Sequence, residues 1–161
     1  MFEVVPFSPN HQTGVIDVIL PIQQIEFGVP ITVEDQPDLL DIPGYYQQGN
    51  GNFWVALADG EVVGTIALCD IGNHQGALRK MFVKPAYRGK EKGVAHRLLE
   101  ELISSATSKG IRDLFLGTID AFAAAHRFYE RNGFVPIPEA ALPKAFPLMG
   151  VDTRFYHRRL G

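Results

Sequence analysis

Alternation of apolar and polar residues predicts short strands in the first half of the chain. FEVVPF (2–7) is a β-type run, and FWVALA (53–58) and VVGTIALC (62–69) are two more, joined by Asp59-Gly60. This dipeptide favours the positive φ angles of a tight turn, so we expect an antiparallel hairpin. A further run, ALRKMFV (77–83), is expected to extend the meander.

Helical spacing of apolar residues marks the segment between the first strand and the hairpin. VIDVILPIQQIEF (15–27) has this spacing, and Pro21 must either kink the helix or lie in its first turn. TVEDQPDLLDI (32–42) is typical of a short helix with an acidic first turn, and PGYYQQGNGN (43–52) of a turn-rich loop.

The second half of the chain alternates helices and strands. Apolar residues at helical spacing predict a helix from Ala95 to Ala106, and Lys109-Gly110 is a typical helix end. Three elements follow, a strand, a helix ended by Gly133 and a C-terminal strand: IRDLFLG (111–117), AFAAAHRFYERN (121–132) and VDTRFYHRRL (151–160). A βαβα unit after an antiparallel meander indicates the α/β fold class, with α+β layers.

Composition indicates a soluble globular protein. With 161 residues, 46% of them hydrophobic and 20% charged, we expect a single domain over 1–161. Neither a membrane span nor a secretory signal is predicted. Cys69 is the one cysteine, so an internal disulfide or a zinc-thiolate cluster is not expected. We therefore expect a cytoplasmic protein without a metal cofactor.

Charge divides the chain into an acidic and a basic part. Residues 1–78 hold ten Asp or Glu and no Lys or Arg, whereas residues 79–161 hold fifteen Lys or Arg against eight Asp or Glu. Seven of the basic residues lie between Arg79 and Arg97. A basic region suggests an anionic ligand, although solvated surface charge would give the same counts.

The basic segment contains a glycine-broken loop before a helix, YRGKEKGVAHRLLEELI (87–103). The first N–H groups of a helix lack intrahelical partners and bind anions, and Gly89 and Gly93 allow close approach of a ligand. Arg88, Lys90 and Lys92 could meet phosphate charge. The nucleotide patterns GxxxxGK[ST] and GxGxxG are absent. The loop therefore predicts a phosphate site, or else an ordinary exposed turn.

Two segments together resemble the acetyl-CoA-binding core of the GNAT N-acetyltransferase superfamily. MFVKPAYRGKEKGVAHRLLEELI (81–103) resembles its V-x-P-x-Y/F-R-G strand end and the following [Q/R]-x-x-G-x-[G/A] loop, with Lys90, Gly93 and Ala95 in the loop positions. AHRFYERNGFV (125–135) matches the pattern A-x-x-F-Y-x-x-x-G-F at every defined position. The resemblance implies a mixed, mostly antiparallel sheet with a βαβα acetyl-CoA-binding core and helices on both faces.

The resemblance also implies how acetyl-CoA, the co-substrate, is held. Its pantetheine arm would run along the strand like an added strand, and its pyrophosphate would lie at the loop. A backbone N–H near Met81 or Phe82 would stabilise the oxyanion. The implied coenzyme-binding residues are Met81, Phe82, Val83, Arg88, Gly89, Lys90, Glu91, Lys92, Gly93, Val94 and Ala95.

Proton transfer is assigned through the same resemblance. Tyr129 would be the general acid that protonates the departing thiolate, although a core aromatic is the alternative. Ala77 stands where many family members carry a glutamate base, so His74 is a candidate base, unless it is simply a surface residue. Asp120, Asp70 or a water chain are further alternatives. Cys69 at the end of an apolar run indicates a buried thiol, which favours direct transfer.

The implied reaction moves the acetyl group to a primary amine of a small molecule or peptide. Glu26 and Phe27 are candidate acceptor contacts, and the acidic N-terminal half suggests a cationic acceptor, unless its carboxylates merely face water. A non-catalytic acyl-CoA sensor is an alternative, and a nucleic-acid binder is a weaker one, because base-stacking aromatics are few in 79–97. We expect neither nucleic acid nor membrane as partner, and a homodimer is possible.

Overall fold

The computed structural model describes residues 1–161, and its centre is one seven-stranded sheet. The strands are β1 (Glu3–Pro6), β2 (Asn52–Ala58), β3 (Glu61–Gly72), β4 (Gln75–Val83), β5 (Asp113–Thr118), β6 (Val135–Ile137) and β7 (Arg154–Arg159). Their order is β1-β2-β3-β4-β5-β7-β6. Only β4 and β5 are parallel neighbours; all other pairs are antiparallel. The predicted fold class, a mixed and mostly antiparallel sheet, is confirmed.

Five α-helices accompany the sheet: α1 (Gln12–Leu20), α2 (Pro37–Leu40), α3 (Ile42–Tyr45), α4 (Val94–Ser108) and α5 (Ala123–Arg131). Alternate residues of β2 face opposite sides, so that Trp54 packs with α4 while Phe53 and Val55 pack with α1. Helices therefore cover both faces of the sheet, as predicted. None of these helices has the length and apolar character that crossing a bilayer requires.

The predicted turns and strands of the meander are present. Asp59 and Gly60 have φ angles of 52° and 79°, which form the tight turn between β2 and β3. The sequence pattern did not predict β6, because it is a short edge strand with exposed Val135 and Pro136. Proline is rare inside strands and is tolerated mainly at sheet edges, so this segment lacks the usual sequence signature of a strand.

The N-terminal helices differ in detail from the prediction. Pro21, predicted to kink the helix or to lie in its first turn, occupies the first position of a π-helical segment, Pro21–Glu26, that continues directly from α1. The helix predicted over 32–42 is shorter than expected, since α2 covers only Pro37–Leu40. The loop predicted over 43–52 begins with the single-turn helix α3 and consists of turns and bends from residue 46 to residue 50. Asp41 separates α2 from α3, and its carboxylate accepts a hydrogen bond from the Gly44 N–H.

The strands β4 and β5 are paired at one end only. Residues 75–77 of β4 pair with residues 113–115 of β5. Beyond these residues β4 continues to Val83 and β5 to Thr118, but the two strands no longer pair with each other. The register between β3 and β4 also shifts between Thr65 and Ala67, where Lys80 on β4 has a φ of 53°. This β-bulge bends β4, and the β4 edge that faces β5 is left without a strand partner beyond Ala77.

Candidate active site

Two cavities meet where β4 and β5 separate. The larger, about 1010 Å³, lies between the end of β4, the loop before α4 and the α5 region. The smaller, about 100 Å³, lies between β4, β5 and the segment from Phe146 to Asp152. Five residues line both cavities, and they therefore form the junction: Met81, Phe82, Phe122, Ala125 and Tyr129.

The N-terminus of α4 opens into the larger cavity. Gly93 is the N-cap residue of this helix and has a φ of 73°; lacking a side chain, it cannot cap the N–H groups of the first turn. Ala95 and His96 line the cavity. The N–H groups of residues 94–96 have no hydrogen-bond partner in the protein. Gly89 and Lys90 belong to the same wall. The arrangement is suited to anion binding by backbone N–H groups and a basic side chain.

Arg88 is engaged within the protein. Its Nη1 and Nη2 atoms donate to the two carboxylate oxygens of Glu26 at 2.6 and 2.7 Å, and its Nε donates to the Val83 carbonyl oxygen at 2.8 Å. The hydrogen bonds from Arg88 hold the pKa of Glu26 below its usual value. Arg88 therefore ties the loop to the N-terminal helical segment as well as lining the larger cavity.

Of the other predicted coenzyme and acceptor contacts, some line the larger cavity and some line neither cavity. Glu26 and Phe27, predicted on the acceptor side, line the larger cavity and not the smaller one. Val83 lines the larger cavity, but Glu91, Lys92 and Val94 line neither. Glu91 and Lys92 are exposed to solvent, whereas Val94 is buried in the core beneath α4.

Tyr129 on α5 lies at the junction of the two cavities. Only 5% of the residue is exposed, and its ring packs against Phe134 and Tyr156. Its hydroxyl has no hydrogen-bond partner in the protein but is not fully sealed from the cavities. Burial raises the pKa of Tyr129 above its usual value, and the negative charge of Asp152 raises it further. Tyr129 thus remains protonated at neutral pH, the state that a proton donor must have.

Asp152 is a site residue that the sequence pattern did not reveal. It is the single carboxylate that lines the smaller cavity, and burial raises its pKa to about 6, although Arg79 and Lys80 act in the opposite direction. Gly117 on β5 makes room for it, because a Cβ at Gly117 would lie 2.5 Å from Asp152 Oδ2. A half-buried carboxylate with a pKa of about 6 is suited to general base chemistry.

Comparisons with known proteins agree with this geometry. Residues 16–134 match the model of the acetyltransferase (GNAT) family. The chain belongs to the GNAT family. A GNAT-family acetyltransferase from Staphylococcus aureus Mu50 is 37% identical, with both chains covered completely and a TM-score of 0.96. The predicted resemblance is confirmed.

Other similar proteins share only part of the sequence or only the fold. N-acetylaspartate synthetase from Xenopus tropicalis is 39% identical over 101 residues, which are 60% of this chain and 36% of that protein. The match thus spans about a third of this curated relative. The PaiA N-acetyltransferase of Thermoplasma acidophilum, solved in complex with coenzyme A, shares the fold at 19% identity and a TM-score of 0.72, with 99% of both chains covered.

The predicted candidate bases of this GNAT protein line neither cavity. His74 is exposed in the turn between β3 and β4, where its Nδ1 lies 3.2 Å from the Gly110 carbonyl oxygen. Asp120 accepts a hydrogen bond from Arg154, and Asp70 accepts one from the Gly72 N–H. Cys69 also lines neither cavity, and burial raises the pKa of its thiol. Asp152 is therefore the base candidate that the geometry favours.

A buried polar network supports the bulge of β4. Lys80 Nζ contacts Gln36 Oε1 at 2.5 Å and lies 3.5 Å from Asp38 Oδ2, and Asp38 also accepts a hydrogen bond from the Tyr46 hydroxyl. Burial lowers the pKa of Lys80 to about 8. The negative charges of Asp38 and Glu26 are thus paired inside the protein, whereas the exposed Asp41 accepts only a backbone hydrogen bond. The cationic acceptor suggested by the charge counts stays a prediction.

Proposed function

We propose that this GNAT protein is an N-acetyltransferase that moves the acetyl group of acetyl-CoA directly to a primary amine of a small molecule or peptide. The observation that carries the proposal is the position of Tyr129, whose side chain lines both cavities at their junction. At that junction a proton donor can protonate the thiolate that leaves from the larger cavity while the acceptor amine enters from the smaller one.

The larger cavity fits acetyl-CoA, which would supply the acetyl thioester. Its volume of about 1010 Å³ and the unpartnered N–H groups of residues 94–96 suit a long ligand with phosphate groups. The β4 edge beyond Ala77 offers backbone groups to an extended arm, in the manner of an added strand. The complex of the Thermoplasma fold neighbour with coenzyme A also supports this assignment.

Two side chains would divide the proton transfer between them. Asp152 accepts the proton of the acceptor amine while the nitrogen bonds to the acetyl carbon, and Tyr129 donates its proton to the sulfur as the carbon–sulfur bond breaks. Met81 and Phe82 follow the bulge at the junction, where a backbone N–H can stabilise the carbonyl oxygen. Cys69 lies outside both cavities, which supports transfer without an acyl-cysteine.

Two expectations about the setting of the protein belong to the same proposal. We expect residues 1–161 to act as one domain, which is supported by the presence of β1 and β7 in a single sheet. We also expect a cytoplasmic location, because the unpaired thiol of Cys69 suits a reducing compartment.

Calorimetric titration with acetyl-CoA tests the coenzyme site. We expect saturable binding that Gly93→Leu weakens at least about tenfold, since a side chain is strained at a φ of 73° and would take up space in the wall of the larger cavity. Gly72→Leu is the matched control: Gly72 has a φ of 85° in an exposed turn away from both cavities.

An assay of acetyl transfer to a panel of primary amines completes the test. Binding of acetyl-CoA with turnover on at least one amine is the expected result. Saturable binding without turnover on any amine would favour an acyl-CoA sensor, and absence of binding would contradict the proposed function.

A further inference from the structure

Arg79 presents a guanidinium group to the smaller cavity without a carboxylate partner. Its Nη2 contacts Met149 Sδ at 3.1 Å, and its Cζ lies 5.9 Å from the centroid of the Tyr46 ring. Thioether sulfur is only a weak acceptor, so most of the five N–H donors of the guanidinium are left for another group. Arg88 and Lys80 nearby differ from Arg79, because both lie within 4.0 Å of a carboxylate.

Asp152 lines the same cavity and is unpaired as well. No lysine, arginine or histidine nitrogen lies within 4.0 Å of its carboxylate, although the charge of Arg79 is close enough to lower its pKa against the effect of burial. Apart from Lys80, which is paired with Asp38, one cation and one anion therefore line this small cavity without contacting each other. Two opposite and separate charges are complementary to a ligand that carries both an ammonium and a carboxylate group.

The positions of the two charges also set the orientation of such a ligand. Asp152 influences the Tyr129 hydroxyl electrostatically, so the amine end belongs beside the junction. The other end then has the guanidinium of Arg79, which can bind a carboxylate through two parallel hydrogen bonds. With a volume of about 100 Å³, the cavity suits a small molecule more than a folded protein surface.

We propose that the acceptor is a small amino acid, and that Arg79 binds its carboxylate while its amine faces Asp152 and Tyr129. This inference rests on the proposed function, because it names the acceptor class of the same site. It differs from the cationic acceptor suggested by charge counts, since a diamine would place its second ammonium group beside Arg79.

Kinetics on matched pairs of acceptors test the inference. Each L-amino acid is compared with its amide, which keeps the size and removes the carboxylate charge, and lysine is compared with cadaverine. We expect kcat/KM to be about 30-fold higher for the acid of each pair, as expected for charged hydrogen bonds. Arg79→Gln removes this preference mainly through KM, and Arg79→Lys restores part of it.

The control for a general loss of positive charge is Arg112→Gln. Arg112 is exposed and lines neither cavity, so this variant keeps the preference for the acid. Far-ultraviolet circular dichroism and thermal melting of Arg79→Gln check that it folds. Equal kcat/KM for acid and amide in the wild type, or an equal loss for both in Arg79→Gln, would overturn the inference while leaving the transferase function intact.

A binding measurement keeps the inference testable if turnover is slow or absent. Calorimetric titration with N-acetyl-L-amino acids and with their amides compares the affinities for acid and amide, so it measures the same preference without requiring turnover. Tighter binding of the acid, lost in Arg79→Gln, supports the assignment, whereas equal or undetectable binding of both overturns it. Failure of the proposed function is distinguished by the acetyl-CoA titration, which does not involve Arg79.

Discussion

The two cavities on either side of Tyr129 are built in different ways. The larger one takes much of its lining from two sequence segments, 81–96 and 121–132, and its anion-binding groups are backbone N–H groups of a helix. The smaller one draws short segments from several distant parts of the chain, to which Gln23, Lys80, Thr118 and Asp152 belong. A local motif can describe the first cavity, whereas only the folded chain assembles the second.

The two cavities therefore differ in how much their binding properties depend on individual side chains. Backbone groups at a helix N-terminus bind phosphate whatever the neighbouring side chains are, so the same construction serves many proteins. The charges of Arg79 and Asp152 depend on individual side chains and can change without altering the fold. We therefore expect substitutions in the smaller cavity to change turnover and acceptor choice, and those in the larger cavity to change coenzyme affinity.

Asp152→Asn should produce the largest effect on turnover, and it should distinguish the roles of the two cavities most clearly. We expect kcat/KM for the acceptor to fall about 100-fold or more, as for loss of a general base, with unchanged acetyl-CoA affinity. In the wild type, kcat/KM should rise with pH through about pH 6, the pKa of Asp152, because the base must be deprotonated, and it should rise further at higher pH as the acceptor amine loses its own proton. The rise near pH 6 should be absent from the pH profile of the variant. If the variant kept this rise, a group other than Asp152 would be responsible for it.

The same substitution should increase the stability of the protein. The pKa of Asp152 is raised from 3.8 to about 6 on folding, so the folded state binds more protons between these values and stability falls as pH rises through them. Asparagine removes the cost of the buried charge. Thermal melting at pH 8 should therefore give a higher Tm for the variant, and the difference should vanish below about pH 4. A lower Tm at pH 8 would contradict this account.

Gly117→Ala should have an intermediate effect, again confined to the acceptor side. The added methyl group would lie 2.5 Å from Asp152 Oδ2 and must displace the carboxylate. We expect kcat to fall about tenfold, since small displacements of a catalytic group are costly. Gly150→Ala is the control, because a Cβ at Gly150 meets no atom within 4 Å. Equal kcat values for both variants would mean that the position of Asp152 is unimportant.

Much of the fold and of the larger cavity could be predicted from the sequence, for physical reasons. The meander and α4 have regular apolar periodicity, and the turn at Asp59-Gly60 depends on local conformational preference. β6 and the π-helical turn at Pro21 could not be predicted, because tertiary contacts and not local pattern stabilise them. Of the candidate site, Tyr129 lies in a motif helix, and the structure places it at the junction.

Asp152 could not be found by the same reasoning. It lies in an irregular segment before β7, and its significance comes from Gly117, Arg79 and Tyr129, which are distant in sequence. The one available signal is that it is the only acidic residue after Glu139. His74 lies in an exposed turn, which shows that sequence proximity to a motif strand is a poor guide to position in the cavity.

Glu26→Gln should have the smallest effect, and it tests whether the larger cavity depends on side-chain charge. The ion pair between Glu26 and Arg88 is partly exposed, with about a third of each side chain accessible. Such pairs contribute little, so we expect the Kd of acetyl-CoA to change by no more than about threefold and kcat to be unaffected. Calorimetry and steady-state kinetics measure both. A loss of affinity as large as that of Gly93→Leu would mean that the ion pair, and not the backbone, organises the loop.

The single-turnover rate of acetyl transfer in Tyr129→Phe, measured with saturating acetyl-CoA and the best acceptor, tests the central claim most directly. The substitution removes one hydroxyl and keeps the ring packing against Phe134 and Tyr156. The account predicts a rate reduced about 100-fold with unchanged acetyl-CoA affinity, as for loss of a general acid. A wild-type rate in Tyr129→Phe would contradict the assignment of Tyr129 as the proton donor between the two cavities.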